Sequence, residues 1–299
     1  MHHTYQSLID TSRRINWRVE DIIGGDKRLD FSKPFLPETF VRSAQLSFLS
    51  PREQLALNHI RAFGYLSMFE LVEAFILPFV GAQAEAGADG DRKAALENFA
   101  SEEAKHIALF TAFRREFEAD FGVACGFIGP AEEISRAVLA HDTLAVAIAV
   151  LGIEWMSQGH YVESVKDAAD LDPQFKNLLK HHWLEEAQHA KLDGLILQEL
   201  THGIDAEEID RALDGYFAIG SLLDSGLKQQ AALDLDSIER AISRVLSADQ
   251  RAAFLAGQHQ ALRWTFLGSA MRNHNFLSVM GSLNSTARAR IEANAAALC

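Results

Sequence analysis

The sequence predicts an all-α fold built on a four-helix bundle, with an N-terminal arm and additional C-terminal helices, and three observations carry that prediction. β-Branched alternation of the kind that marks strands is sparse. Only six prolines interrupt 299 residues. Ala, Leu, Glu, Gln and Arg fill long stretches at helical spacing, and 48% hydrophobic residues suffice for a sizeable core.

Each element follows in order. Residues 1–50 carry Gly24-Gly25, Pro34 and Pro37 and read as a wrapping arm with little regular structure. Ser50-Pro51-Arg52-Glu53 then supplies an N-cap, a first-turn proline and a capping-box glutamate. Helix A is expected over 51–79, followed by a loop through GAQAEAGADGD, helix B over 91–121 and a break around GVACGFIGP. A short helix over 130–140 leads to helix C over 143–167, and Asp172-Pro173 caps helix D over 173–202. Two short loops and one longer B-to-C connection are the signature of a one-crossover bundle. Helices over 205–229, 235–246, 248–280 and 284–297 are expected to pack around it. The partition is therefore 1–50 arm, 51–202 bundle and 203–299 helical extension, one domain overall.

Charge and cysteine usage narrow the function classes. Asp plus Glu outnumber Lys plus Arg by 41 to 28, a formal charge of −13 with no basic run, which argues against nucleic acid and anionic membranes as partners. Apolar stretches such as residues 144–153 fall short of a bilayer span, and two cysteines, Cys125 and Cys299, suit a reduced, cytoplasmic setting.

The chemistry concentrates in a repeat. Helix B holds Glu102-Glu103-Ala-Lys-His106 and helix D holds Glu185-Glu186-Ala-Gln-His189, the same EExxH pattern at the same point of two helices. Glu and His at i and i+3 share a helix face and can bind one cation together. A single copy means little, since chance predicts about one Glu-x-x-His in such a chain. Glu199-Leu-Thr-His202 is such a chance match, placed at a helix end before Gly203.

The two paired copies differ because each lies mid-helix among apolar residues (Phe99, Ile107 and Phe110; Trp183, Leu192, Leu195 and Ile196) and each has a carboxylate in the preceding helix. Folding the C/D pair about DLDPQ brings Glu154 level with Glu186. Helix A offers both Glu70 and Glu73 for the equivalent place beside Glu103, Glu73 having the more apolar flank. Burying this many carboxylates together is costly without a counter-charge, and two divalent cations offset that cost. One Glu from each of two helices plus a Glu-x-x-His from each of the other two is the ligand set of a bundle-embedded dinuclear site. Mixed imidazole and carboxylate donors suit two iron ions, or a manganese/iron pair, better than zinc.

Glu102 and Glu185 precede the ligands and either orient a histidine through its second ring nitrogen or line a solvated helix edge. His182, four residues before Glu186, shares the stripe of Glu186 and His189 and either offers a third imidazole or is an ordinary partly buried histidine, whereas His181 is rotated off it and expected to be exposed. Tyr161 lines the pocket or packs. Glu163, His160, Met156, Trp155, Trp264, His259 and His274 have no spacing that assigns them a role beyond core, lid or surface.

These residues resemble the ferritin-like di-iron carboxylate superfamily over roughly 51–202, through Glu70 or Glu73, Glu103 with His106, Glu154, and Glu186 with His189. His182 makes the site similar to the p-aminobenzoate N-oxygenase type, whose di-iron centre uses a third histidine four residues before the last Glu-x-x-His. A glutamate precedes each ligand glutamate here, where several oxygenases of the superfamily have aspartate.

The resemblance implies an O2-dependent oxidoreductase acting on a small organic substrate, with N-oxygenation of an amine or aryl amine as one outcome and C-hydroxylation or desaturation left open. Electrons would come from an external donor, because the sequence has no Rossmann glycine turn and no CxxC. Iron handling, as ferroxidase or storage protein, is the alternative, and a helical scaffold with coincidental motifs is the third reading. Apolar surface on the tail is compatible with a homodimer, with no pattern that specifies one.

Overall fold

The computed structural model describes residues 3–86 and 90–298; Cys299 and residues 87–89 of the expected A/B loop lie outside the described residues. Every named element among the described residues is helical, in a one-crossover four-helix bundle arrangement. The bundle consists of α4 (Pro51–Glu85), α5 (Gly90–Phe121), α7 (Thr143–Gly159) and α8 (Pro173–Leu200), with α6 (Ala131–Leu139) on the crossover.

Local chemistry sets the starts of these helices. The Ser50 side chain accepts from the Glu53 amide and Glu53 reaches back to the Ser50 amide at 2.7 Å, with Pro51 in the first turn. Asp172 accepts from the Phe175 amide at 2.6 Å ahead of Pro173, and Asp142 from the Leu144 amide at 2.9 Å. Helix α4 is apolar around its whole circumference and accordingly buried on nearly all sides. Contrary to the expectation that no stretch is long enough, its mean hydropathy of 1.6 would pass for a membrane span by composition, but 78% of that window is buried inside the protein. It reads as the core helix of the bundle.

Helices α4 and α5 pair intimately, as do α7 and α8, and α5 touches α8 across the bundle. Helices α4 and α7 do not pack closely on one another. The gap between them is closed by elements outside the bundle.

Three expectations are corrected. Residues 1–50 contain α1 (Tyr5–Ser12), α2 (Val19–Ile22) and α3 (Glu38–Val41), and α1 packs on α5 and α8, so the arm is a structured part of the core. The tail begins with one unbroken helix, α9 (Ala206–Ala241), in place of the two expected over 205–246; nothing between 229 and 235 breaks it, and an Asp205/Glu208 capping box starts it. The stretch 248–280 is instead divided: α10 (Ala248–Arg263), a π segment (Trp264–Gly268), α11 (Ser269–Arg272), and α12 (His274–Leu283) capped by Asn273. A second π segment, His160–Val165, ends helix C, and α13 (Ser285–Leu298) closes the described chain.

Candidate metal centre

Four helices deliver one buried cluster to the bundle interior. Glu73 comes from α4, Glu103 and His106 from α5, Glu154 from α7, and His182, Glu186 and His189 from α8; all seven are buried. Ligand atoms of Glu73, His106, His182 and Glu186 lie within 4.8 Å of one another, and the same holds for Glu103, His106, Glu186 and His189.

Nδ1 of His106 faces Glu186 at 3.0 Å and Glu103 at 3.3 Å, and Nδ1 of His189 faces Glu103 at 2.8 Å and Glu186 at 3.5 Å. His182 points Nε2 at Glu186 (3.1 Å) and Glu73 (3.3 Å). Both oxygens of Glu154, one each of Glu73, Glu103 and Glu186, and Nδ1 of His189 are buried without a hydrogen-bond partner. A native interior seldom leaves so many polar atoms unsatisfied in one place. These donors fit cations.

Proton affinities say the same. Burial, followed by the neighbouring Glu103 charge, pushes the Glu73 carboxyl well above the usual range, and burial with Glu186 does so for Glu154. Burial opposes ionisation of Glu103 and Glu186 too, but the histidines beside them prevail and hold both below the usual range. His106 and His189 are raised in spite of burial, by the carboxylates around them. His182, with burial dominant, is lowered to about 4 and presents a neutral imidazole. Without metal, protons on these groups balance the carboxylate charge, and a cation displaces them.

The second nitrogens reveal a crossed arrangement. Glu185 of α8 accepts from Nε2 of His106 on α5 at 3.0 Å, and Glu102 of α5 accepts from Nε2 of His189 on α8 at 2.8 Å. Each carboxylate thereby fixes the ring of the other helix's histidine with Nδ1 inward. Donors two residues after each ligand glutamate continue the pattern: Lys105 binds Glu185 at 2.5 Å and Gln188 binds Glu102 at 2.8 Å. Ser12 of α1 adds a bond to Glu102 at 2.5 Å, and burial, which favours the neutral acid, is outweighed by His189 and Ser12, leaving Glu102 lowered. Of the sequence's two readings for Glu102 and Glu185, the structure places them against the histidines, away from solvent.

Glu70 is not brought to the cluster. It faces outward on α4, its side chain 24% exposed, held by Arg114 at 2.8 Å and Thr111 at 2.5 Å. Residues three apart are offset by only about 60° around a helix, and packing separates the two: Arg114 and Thr111 hold Glu70 at the solvent edge while Glu73 is buried in the core. The chance match Glu199 bonds Arg92 and Tyr5, and His202 is exposed. His181, expected to be exposed, is half-buried because Trp17 of the arm covers it, and Tyr161 packs on Trp183.

No family model matches the chain, and no curated protein matches it. Among solved structures it is similar to several described as variants of an R2-like ligand-binding oxidase. One with an anaerobically reconstituted Mn/Fe cofactor has 16% identity and a TM-score of 0.47 over 88% of this chain and 93% of that one. A second, with an aerobically reconstituted Mn/Fe cofactor, has 16% identity and a TM-score of 0.46 over the same shares. A third, with an aerobically reconstituted Fe/Fe cofactor, has 14% identity and a TM-score of 0.42, again over 88% and 93%.

Several participants were not expected from sequence. Asp193 is buried with both oxygens unpartnered, and burial raises its carboxyl. It continues the α8 stripe of 182, 186 and 189 at helical spacing, a signal that was legible. Ser12 and Trp17 had no such signal, because they reach the site from the arm; Trp17 stacks on His106 at 6.2 Å. His160, given no role by spacing, is buried between Tyr65 (3.0 Å) and Ser269 (3.1 Å). Burial lowers it to about 3.

Proposed function

We propose that this chain is a non-haem oxidoreductase that uses a pair of iron ions, or a manganese/iron pair, and O2 to oxidise a small organic substrate. The observation that supports it is the cluster of unsatisfied carboxylates and inward-facing imidazoles at the centre of the bundle, with its crossed outer carboxylates. Glu73, Glu103, His106, Glu154, His182, Glu186 and His189 would hold the metals. When bound and reduced, the pair supplies the electrons that activate O2.

The protein's own part follows from its geometry. Glu102 and Glu185 keep the histidine rings turned inward, and Lys105, Gln188 and Ser12 keep those carboxylates in place. Phe69 and Phe110 stand edge-on to His182, and Phe99 stacks on His189 at 4.1 Å. This aromatic wall excludes water from the imidazole side. O2 and substrate would approach the carboxylates of α4 and α7, the two bundle helices that do not pack closely on one another. N-oxygenation of an amine is the finer reading that the His182 resemblance suggests, with an external donor returning the electrons.

The test is anaerobic loading with ferrous iron followed by O2. About two metals per chain and O2 consumption coupled to loss of an organic substrate are expected. Fewer than one metal per chain on folded protein would sink the reading, and mineral loading far above two would replace it with iron storage.

A further inference from the structure

Two mid-helix glycines face an apolar slot in the gap between α4 and α7, and no backbone requirement explains them. Gly152 on α7 and Gly220 on α9 have ordinary helical dihedrals, and a Cβ added to either would meet only normal van der Waals neighbours. For Gly152 these are the Phe276 ring at 3.6 Å and the Tyr216 hydroxyl at 3.9 Å, and for Gly220 the Met271 methyl at 3.8 Å. Gly215, on the same α9, is different: a Cβ there would come within 2.8 Å of Ala145, so the α7/α9 crossing demands it. Glycine inside a helix is destabilising relative to alanine. At 152 and 220 a methyl group would fit without a clash, so helix packing does not demand glycine at either.

The space is a narrow slot of about 30 Å3, bordered by Phe75 of α4, Ile153 of α7 and Phe266 of the Trp264–Gly268 π segment. No charged side chain lines it. Its one polar group on the ring side is the Tyr216 hydroxyl, which makes no hydrogen bond among the described residues and which burial keeps as a neutral phenol. Phe266 joins the slot to the metal centre: its ring lies 6.5 Å from Phe69, which is edge-on to His182 at 5.1 Å. Buried Met271 and half-buried Leu223 also line it, and their flexible side chains are the ones that can swing to admit a ring. A π segment is a frequent companion of such sites.

We propose that this slot holds the substrate, and that the substrate is a flat, uncharged, largely apolar molecule with one group that hydrogen-bonds Tyr216. The proposal rests on reading the adjacent cluster as a di-metal oxidising centre. It separates this protein from an aryl-carboxylate oxygenase, because a carboxylate in the slot would be buried with no cation to pair it.

Fluorine NMR titration of the full chain, metal-free and iron-loaded, with 4-fluoroaniline, 4-fluorotoluene and 4-fluorobenzoate tests this. Both neutral probes are expected to bind, and the benzoate at least about tenfold more weakly. Combined Gly152→Ala and Gly220→Ala should weaken both neutral probes about tenfold while leaving the melting temperature unchanged or higher. Tyr216→Phe should weaken 4-fluoroaniline about fivefold and leave 4-fluorotoluene alone, a contrast that general loss of structure does not produce. Equal affinity for the benzoate, no binding of the neutral probes, or indifference of both variants overturns the proposal. Metal content of the same samples is read separately. Probe binding without metal uptake sinks only the di-metal reading, and metal uptake without probe binding sinks only the slot.

Discussion

The two EExxH helices occupy equivalent places in the bundle, yet their flanks differ. Aligned on Glu103 and Glu186, His182 of α8 corresponds to Phe99 of α5, and Asp193 corresponds to Phe110. On α5 the flanking positions are buried aromatic rings that stack on or edge against the imidazoles of α8; on α8 they are a third imidazole and an unpartnered carboxylate. The outer shell differs likewise, since a lysine supports Glu185 and a neutral glutamine with Ser12 supports Glu102. The lesson is that a repeated motif supplies the common candidate ligands, while the residues a turn away make the two halves of the cluster chemically unequal.

The largest effect should come from the glutamates central to both halves. Glu103→Ala and Glu186→Ala are each expected to reduce metal content from about two to below one per chain, measured by plasma mass spectrometry on protein whose helicity is intact. Next, His182→Phe makes the α8 flank like that of α5 and should lower metal content toward about one per chain. Unchanged loading and turnover would remove His182 from the ligand set.

Crossing of the outer carboxylates predicts a smaller loss. Glu102→Gln and Glu185→Gln should each weaken metal affinity about 10- to 100-fold in a chelator competition, and the perturbed imidazole should be the one on the opposite helix. Ring signals that shift on the same helix would break the crossed scheme.

His160 yields a pH effect. Its folded value of about 3 lies below the unfolded value of 6.5, so its contribution to stability is full above about pH 6.5 and is lost as pH falls toward 3. The slope is at most about 1.4 kcal/mol per pH unit. Metal-free His160→Gln should show a correspondingly shallower loss of stability between pH 6.5 and 4 in urea titrations.

Glu70→Gln should do least. Its partly exposed pair with Arg114 is worth at most about 1 kcal/mol, and metal content should not change. A loss of metal there would place the α4 ligand wrongly.

Much of this was legible in sequence because it depends on short-range order. The capping boxes, the helix starts and the shared face of Glu and His three apart follow from local geometry. The choice between Glu70 and Glu73 did not, since both neighbour the paired helix and only packing shows that Arg114 claims one and the core the other. Residues that approach from distant segments, Ser12 and Trp17 of the arm and Phe266 of the tail, carry no periodic signal relative to the site they touch. The continuous α9 was missed for a related reason: polar residues between 229 and 235 look like a break until their partners are seen, among them the buried Asp234 with Arg61 at 3.3 Å.

By itself the sequence determined the all-helical architecture and a repeated Glu-x-x-His pair with a carboxylate in each preceding helix, because helical period and cap chemistry are properties of the local chain. Tertiary structure alone decided that Glu73 joins the cluster, that the outer carboxylates cross between helices, and that a glycine-lined slot lies in the α4/α7 gap. Those are matters of which surfaces meet, and burial assigns a side chain its chemistry only after the helices have packed.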